Sequence, residues 1–293
     1  MIGQDVAGVG FASWFRSHLP GCELTWYGGG PLADAGPASA RPLSTLGLDQ
    51  PPVVVVMEDQ AKEAIIRAAL PHLGYSPKLV VAGYEHYSFT DPLFSSLLAD
   101  LLVPSIANGY PNTLTHIFQC VRRAAELELK GALVEFGVFR GGTTMFLAKL
   151  RYALRQSWPI LGFDTFGGFP PRRSPLDMYD HPGAEFHDFE AVQRYLSDAE
   201  IELVKGDIVE TASQLGDRPV VLGFIDTDNY SSATAATTAL RDNVVVGGAI
   251  IFDHLTGVDR FRYTLGERMA ATPLLEDPRY FNLHGTGVFL RQQ

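Results

Sequence analysis

Residues 134–142 read Val-Glu-Phe-Gly-Val-Phe-Arg-Gly-Gly and hold the densest chemistry of the chain. A short apolar run ends at the acid Glu135. Gly137, Gly141 and Gly142 then turn the backbone into 143–150, Thr-Thr-Met-Phe-Leu-Ala-Lys-Leu, which has the spacing of a helix. Strand, tight turn and helix is the arrangement in which a parallel sheet offers main-chain N–H groups to a cofactor. Glycine lets the chain bend sharply and a ligand approach closely. Glu135, where the chain leaves the strand, is placed to meet a cationic or hydroxylated group. The turn lacks the Gly-Lys-Ser/Thr ending of a phosphate-binding loop and the G-x-G-x-x-G spacing of a dinucleotide site.

An acid ahead of such glycines suits a ligand with a positive amine and little phosphate, which points to S-adenosylmethionine. The remaining acids fit the same picture. Apolar segments expected to be strands end at Glu135, at Asp164 (in Phe-Asp-Thr-Phe-Gly-Gly-Phe-Pro), at Asp226 (in Phe-Ile-Asp-Thr-Asp-Asn-Tyr) and at Asp253-His254, and Lys205-Gly206-Asp207 follows a fifth. Ligands of open parallel sheets gather beyond the carboxyl ends of the strands, so this recurrence marks one rim. Asp164, after the second strand, is placed for both hydroxyls of a ribose. Asp207 is placed for an adenine amino group, with Ile208 against the ring. Asp226, Asp253 and His254, with Asp228 near, offer a metal set of the oxygen-rich kind that hard divalent cations prefer.

The elements that must position these groups are legible as alternation. A helix over 112–129 leads into strand 132–136, helix 143–156, strand 160–164, an irregular insertion over 166–187, helix 188–196, strand 201–204, helix 208–215, strand 220–225, helix 231–242 and strand 248–252. A helix near 260–270 and a hairpin-like pair, 279–284 and 286–291, close the chain. Alternating strands and helices imply an α/β fold with a doubly wound, largely parallel sheet. Residues 1–104 read as a smaller Rossmann-like α/β domain, with strands at 52–57 and 78–82, a helix over 59–73, a loop over 31–42 and helical spacing over 95–103. Gly8-Val-Gly10 is a weak dinucleotide signal, because no strand precedes it.

The bulk composition narrows the classes. The chain has 293 residues and a formal net charge of −10, which argues against nucleic-acid and anionic-membrane partners. Two cysteines, Cys22 and Cys120, give no disulfide framework and suit a reducing cytoplasm. No apolar run approaches the roughly 20 residues that span a bilayer, and the N-terminus lacks the pattern of a signal peptide.

Taken in order, Val-Glu-Phe-Gly-Val-Phe-Arg-Gly-Gly-Thr, Phe-Asp-Thr-Phe-Gly-Gly-Phe-Pro-Pro, Lys-Gly-Asp, Ile-Asp-Thr-Asp-Asn-Tyr-Ser-Ser-Ala-Thr and Gly-Gly-Ala-Ile-Ile-Phe-Asp-His resemble the macrocin O-methyltransferase family over about residues 105–290. The resemblance implies a class I, S-adenosylmethionine- and magnesium-dependent enzyme acting on a hydroxyl of a sugar or other natural product, with a homo-oligomer expected. Carried over by motif, Glu135, Gly137, Arg140, Gly141 and Asp164 surround the cofactor and Asp226 and Asp253 hold the metal; Phe139, Thr143, Thr165, Asp207, Ile208 and Asp226 are further expected cofactor neighbours, and His254 is the expected third metal residue. Two departures stand out. Where the family has a second acid after Asp253, this chain has His254, a softer ligand that favours zinc, iron or manganese over magnesium. The family's acid after the tyrosine is also missing at Ser231.

In this reading the metal positions the acceptor hydroxyl and a base takes its proton. His181 and His187, in the insertion expected to act as a lid, and His254 are the candidates. Blander roles compete: turn glycines, Asp164 or Asp228 as helix caps, Arg172-Arg173 as a solvated pair. The competing functions are a hydroxylation protein of the cephalosporin type, a non-catalytic partner protein keeping the fold, and a nucleotide site in the first domain.

Overall fold

A computed structural model describes residues 2, 12, 15–16, 21–28, 40–50, 53–56, 69–72, 79–82, 91–99, 107, 113–179, 189–255, 261–284 and 286–293. The chain divides into two compact units, Met1–Pro104 and Ser105–Gln293.

In the first unit two short parallel pairs are described. β1 (Tyr27–Gly28) lies beside β2 (Arg41–Pro42), and β3 (Val53–Val56) beside β4 (Leu79–Ala82). α1 (Leu46–Asp49) is a single turn. α2 spans Pro92–Ala99 and so begins earlier than the helical spacing from 95 suggests. Its start is fixed by chemistry that hydrophobic spacing does not register. The Asp91 carboxylate accepts the N–H groups of Leu93 and Phe94 at 2.9 and 3.2 Å, and Pro92 supplies a helical φ at the first position. Most of 59–73 lies outside the described residues, as does Gly8-Val-Gly10. Within 59–73, Leu70–His72 forms a 3-10 turn.

The second unit is built on a seven-stranded sheet. Its strands are β5 (Ala132–Phe136), β6 (Ile160–Asp164), β7 (Ile201–Lys205), β8 (Val220–Ile225), β9 (Val244–Phe252), β10 (Tyr280–Asn282) and β11 (Val288–Arg291), in the order β10-β11-β9-β8-β5-β6-β7. From β5 the chain winds outward through β6 to β7, then crosses back to β8 and winds the other way to β9. β5 and β8 therefore flank the point where the winding reverses, where such sheets bind ligands. β5 through β9 run parallel, and the β10–β11 hairpin adds an antiparallel edge against β9.

β5 and β8 are buried along their whole length, as parallel strands covered on both faces must be. Phe136 and Phe163 stack at 4.6 Å within the core, with Leu161, Ile225, Ile250 and Phe252 around them. α3 (Thr113–Glu126) turns Leu114, Ile117, Phe118, Val121 and Ala124 inward, one stripe at helical spacing. α4 (Gly142–Ala153), α5 (Phe189–Leu196), α6 (Ile208–Thr211), α7 (Tyr230–Arg241), α8 (Phe261–Ala270) and α9 (Thr272–Leu275) supply the remaining connections. The helix expected over 208–215 tightens to a 3-10 turn after Thr211, and β9 starts four residues before the expected strand. Cys22 and Cys120 are free thiols. Among the described residues no helix is long and apolar enough to cross a membrane.

At the amino end of the sheet the buried Asp277 carboxylate ties three elements. It accepts from Arg241 Nε, at the end of α7, at 2.7 Å, and from Arg279 Nη2 at 2.7 Å. The bonds from Arg279 outweigh burial and hold this carboxyl well below the usual range. A lowered acid stabilises the fold fully above its unfolded pKa of about 4, and that contribution fades as the pH falls below it. Allowing for the part-exposed arginines, Asp277→Asn is expected to cost about 2 kcal/mol near neutrality. Thermal unfolding should show the gap at pH 7 and its narrowing towards pH 3.

Candidate active site

The strand register builds the rim. Phe136 pairs with Phe163 on one side and Ile225 on the other, and Ile225 pairs with Phe252. The next residue of each strand therefore shares one level: Asp253, Asp226, Gly137 and Asp164, followed by Lys205, which pairs with Asp164. Three carboxylates from β9, β8 and β6 stand in a row, with a glycine at the reversal point between two of them. That glycine is required by the main chain. Its φ is +97°, and a Cβ there would lie 1.8 Å from the Asp226 carbonyl oxygen. Gly137 thus serves the close approach of β5 to β8. Gly141, at φ +85°, opens α4, and no side chain caps that helix.

Glu135 stands two residues below this level and is fully buried. Thr144 Oγ1 donates to its Oε2 at 2.5 Å. The strand ends at Phe136 as expected, so Glu135 is its penultimate residue rather than its last, and the acid faces the first turn of α4. Burial pushes its carboxyl up to about 8, only partly offset by the Thr144 bond. Asp164 does sit at the rim, part-exposed. Phe139 N donates to its Oδ2 and Phe166 N to its Oδ1, both at 2.7 Å. It braces two loops and caps no helix. Burial raises its pKa, and these main-chain bonds oppose the shift.

Other expected cofactor residues have protein partners. Thr143 Oγ1 accepts the N–H of Ala107 at 2.8 Å. Thr165 Oγ1 donates to the Gly168 carbonyl at 2.6 Å. The Arg140 guanidinium lies over the Phe139 ring, 5.0 Å from its centroid. Asp207 caps α6 by accepting from Val209 N at 3.0 Å, and its other oxygen takes Arg173 Nη2 at 2.6 Å. Arg173 also reaches Glu210 at 3.0 Å, so it bridges two acids at the start of α6 in an exposed ion pair. Ile208 is buried beside them.

The second half of the rim gathers around His254. Its Nδ1 lies 3.4 Å from Asp228 Oδ1 and 3.6 Å from Asp226 Oδ1, while Nε2 lies 3.4 Å from Asp253 Oδ2. The three residues expected to hold a metal do converge, but the imidazole stands between the two acids. Asp228, at φ +58°, belongs to the turn before α7, and the cap position is Asn229. Burial, then Asp253, then Asp228 raise the pKa of Asp226 well above the carboxylate norm.

Sequence reasoning missed Glu267, on α8. One oxygen of Glu267 lies within 4.8 Å of ligand atoms of Asp226 and His254. No strand end signals it; an acid in a helix of weak amphipathicity looks solvated. Burial is the main reason its carboxyl rises to about 7.

The insertion after β6 is fastened over its described part. Asp177 accepts from Ser231 N at 2.8 Å and Ser231 Oγ at 2.7 Å, and Asn229 exchanges two bonds with the Tyr179 backbone at 2.9 and 3.2 Å. The lid reading therefore does not extend to 166–179. His181 and His187 lie outside the described residues.

Residues 109–292 match the family described as macrocin-O-methyltransferase (TylF). The chain belongs to that family. A relative from Streptomyces olivaceus, 8-demethyl-8-(2,3-dimethoxy-alpha-L-rhamnosyl)-tetracenomycin-C 4'-O-methyltransferase, is 26% identical over 210 residues, covering 64% of this chain and 77% of the relative. Among solved structures, the calicheamicin methyltransferase CalS11 aligns with a TM-score of 0.53 at 22% identity, over 80% of this chain and 93% of its own. The O-methyltransferase NovP aligns with a TM-score of 0.51 at 21% identity, over 61% and 79%. These two share the fold. This macrocin-O-methyltransferase family member is an S-adenosylmethionine-dependent O-methyltransferase.

In this enzyme Glu135 makes stability fall with pH. Its folded pKa of about 8 lies above the unfolded value of about 4.3, so the unfolded chain holds fewer protons between the two and stability declines across that window. Glu135→Gln is expected to raise Tm at pH 7.5 and to leave it nearly unchanged at pH 4. Unfolding scans across that range check the sign.

Proposed function

We propose that residues 105–293 methylate a hydroxyl of a glycoside, using S-adenosylmethionine and a divalent cation held at the rim. The observation that carries this reading is the shared level of Asp164, Asp226 and Asp253 on both sides of the point where the sheet's winding reverses. The cofactor supplies an electrophilic methyl group on a sulfonium centre. Asp164, held by Phe139 N and Phe166 N with Thr165 Oγ1 at 3.3 Å, is part-exposed and is the carboxylate at this level for hydroxyl donors of the cofactor. The uncapped start of α4 offers main-chain N–H groups at its turn. Glu135 lies beneath, neutral at pH 7 until a positive charge beside it draws its proton off.

A divalent cation supplies Lewis acidity to an acceptor hydroxyl. The residues suit one: Asp226, Asp228 and His254 Nδ1 face each other, and a positive charge there would offset the burial and the neighbouring acids that raise Asp226. The mixed oxygen and nitrogen set favours manganese beside magnesium. A glycoside acceptor is supported by the sugar methyltransferase among the relatives. The acceptor's proton passes to His181, His187 or His254.

Methyl transfer from labelled S-adenosylmethionine to a panel of rhamnosides, with and without chelator, tests the reading. Activity that chelation removes and manganese restores is expected. Asp164→Ala should weaken S-adenosylhomocysteine binding at least about tenfold, the loss of a charged hydrogen-bonding partner. Alanine at the histidine that acts as base should lower kcat by about 10² or more while that binding holds. No transfer to any hydroxylated acceptor, together with no S-adenosylhomocysteine binding, overturns the reading.

A further inference from the structure

Glu267 is a fully buried carboxylate with an unusual set of partners. Its Oε1 accepts the main-chain N–H of Thr227 at 3.0 Å and of Asp228 at 3.1 Å, just past β8. Its Oε2 accepts the N–H of His254 at 2.9 Å, just past β9. One side chain therefore bonds the backbones of two neighbouring strand tips, and those tips carry Asp226, Asp228, Asp253 and His254. The helix is seated for this contact. A Cβ on the preceding Gly266 would lie 2.8 Å from Tyr230 N and 2.9 Å from Asp228 O, so α8 approaches the β8 tip as closely as backbone allows.

A carboxylate offers about four lone-pair sites, and three are committed to these N–H groups. Direct coordination of an ion would compete with bonds that already shape the rim. Burying a fourth acid beside three others is unfavourable by itself; the three charge-assisted bonds are what offset it. We propose that Glu267 is the positioning residue of the transfer site: it clamps the β8 and β9 tips at the separation that lets Asp226, Asp228 and His254 share a cation. The inference rests on the proposed placement of that cation, and it assigns Glu267 no contact with substrate.

Gln is the informative replacement. Its amide has one oxygen and one NH₂, so it keeps the bonds to one tip and faces the other with a donor against a donor. Full-length wild type, Glu267→Gln and Glu267→Asp are compared by amide hydrogen exchange, Mn²⁺ titration followed by electron paramagnetic resonance, and steady-state kinetics. The expected result for Glu267→Gln is faster exchange confined to segments around 226–229 and 253–255. Mn²⁺ affinity should be lower by about 10- to 100-fold, as for other outer partners of metal ligands. kcat should fall while KM for S-adenosylmethionine stays within about twofold. A general packing defect would instead spread exchange across the sheet and move both kinetic constants. If Glu267→Gln does not fold, Glu267→Asp, which keeps the charge but shortens the reach, is held to the same three readouts.

Unchanged exchange at both tips, or unchanged Mn²⁺ affinity and kcat in a variant with altered exchange, overturns the clamp. Failure of the wild type to bind Mn²⁺ overturns the cation assignment instead; exchange at the two tips then decides the clamp alone.

Discussion

Four parallel strands end in step, and everything at the rim follows from that registration. Neighbouring strands lie about 4.8 Å apart, so the shared level sets Asp253 and Asp226 side by side, with Asp164 one strand further on beyond Gly137. Asp226 and Asp253 stand at the tips of adjacent strands, and burial, then Asp253, disfavour ionisation of Asp226. The fold meets this repulsion by several routes: main-chain N–H groups aimed at Asp164 and Glu267, an imidazole set among Asp226, Asp228 and Asp253, and a glycine in place of a fourth side chain between β8 and β6.

Two kinds of shifted carboxylate stand apart in this unit. Asp277 is saturated by arginine and sits well below its ordinary pKa, which is what an acid that holds helices and strands together requires. Glu135, Asp226 and Glu267 are shifted upward, with burial as the main cause and no arginine to offset it. A carboxylate whose pKa is raised by folding destabilises the fold as the pH rises from its unfolded pKa towards its folded one. The separation is also spatial, since α7 begins beside the rim and ends at Arg241 on the far side of the sheet.

Holding such a rim open takes a frame. Asp177 and Asn229 tie the start of the insertion to the first turn of α7, and Arg173 ties it to α6 through Asp207 and Glu210. Family membership agrees with this division of labour. The matched span begins before α3 and ends just past β11, enclosing every element that carries the rim.

The amino-acid sequence by itself determined the alternation of strands and helices in the second unit, because buried parallel strands must be apolar throughout and helices must keep one apolar stripe. It also determined that Asp164, Asp226 and Asp253 stand at strand ends, since each closes an apolar run. Tertiary structure alone decided which acids share a level. Register sets that, and it placed Glu135 one layer beneath the rim. It decided too that Thr143 and Asp207 have protein partners and that the imidazole of His254 lies between two carboxylates. Glu267 shows the limit most clearly. Its hydrogen-bond partners lie at two strand tips distant in sequence, reached because Gly266 lets α8 come close to the β8 tip, a relation between segments that no local pattern encodes.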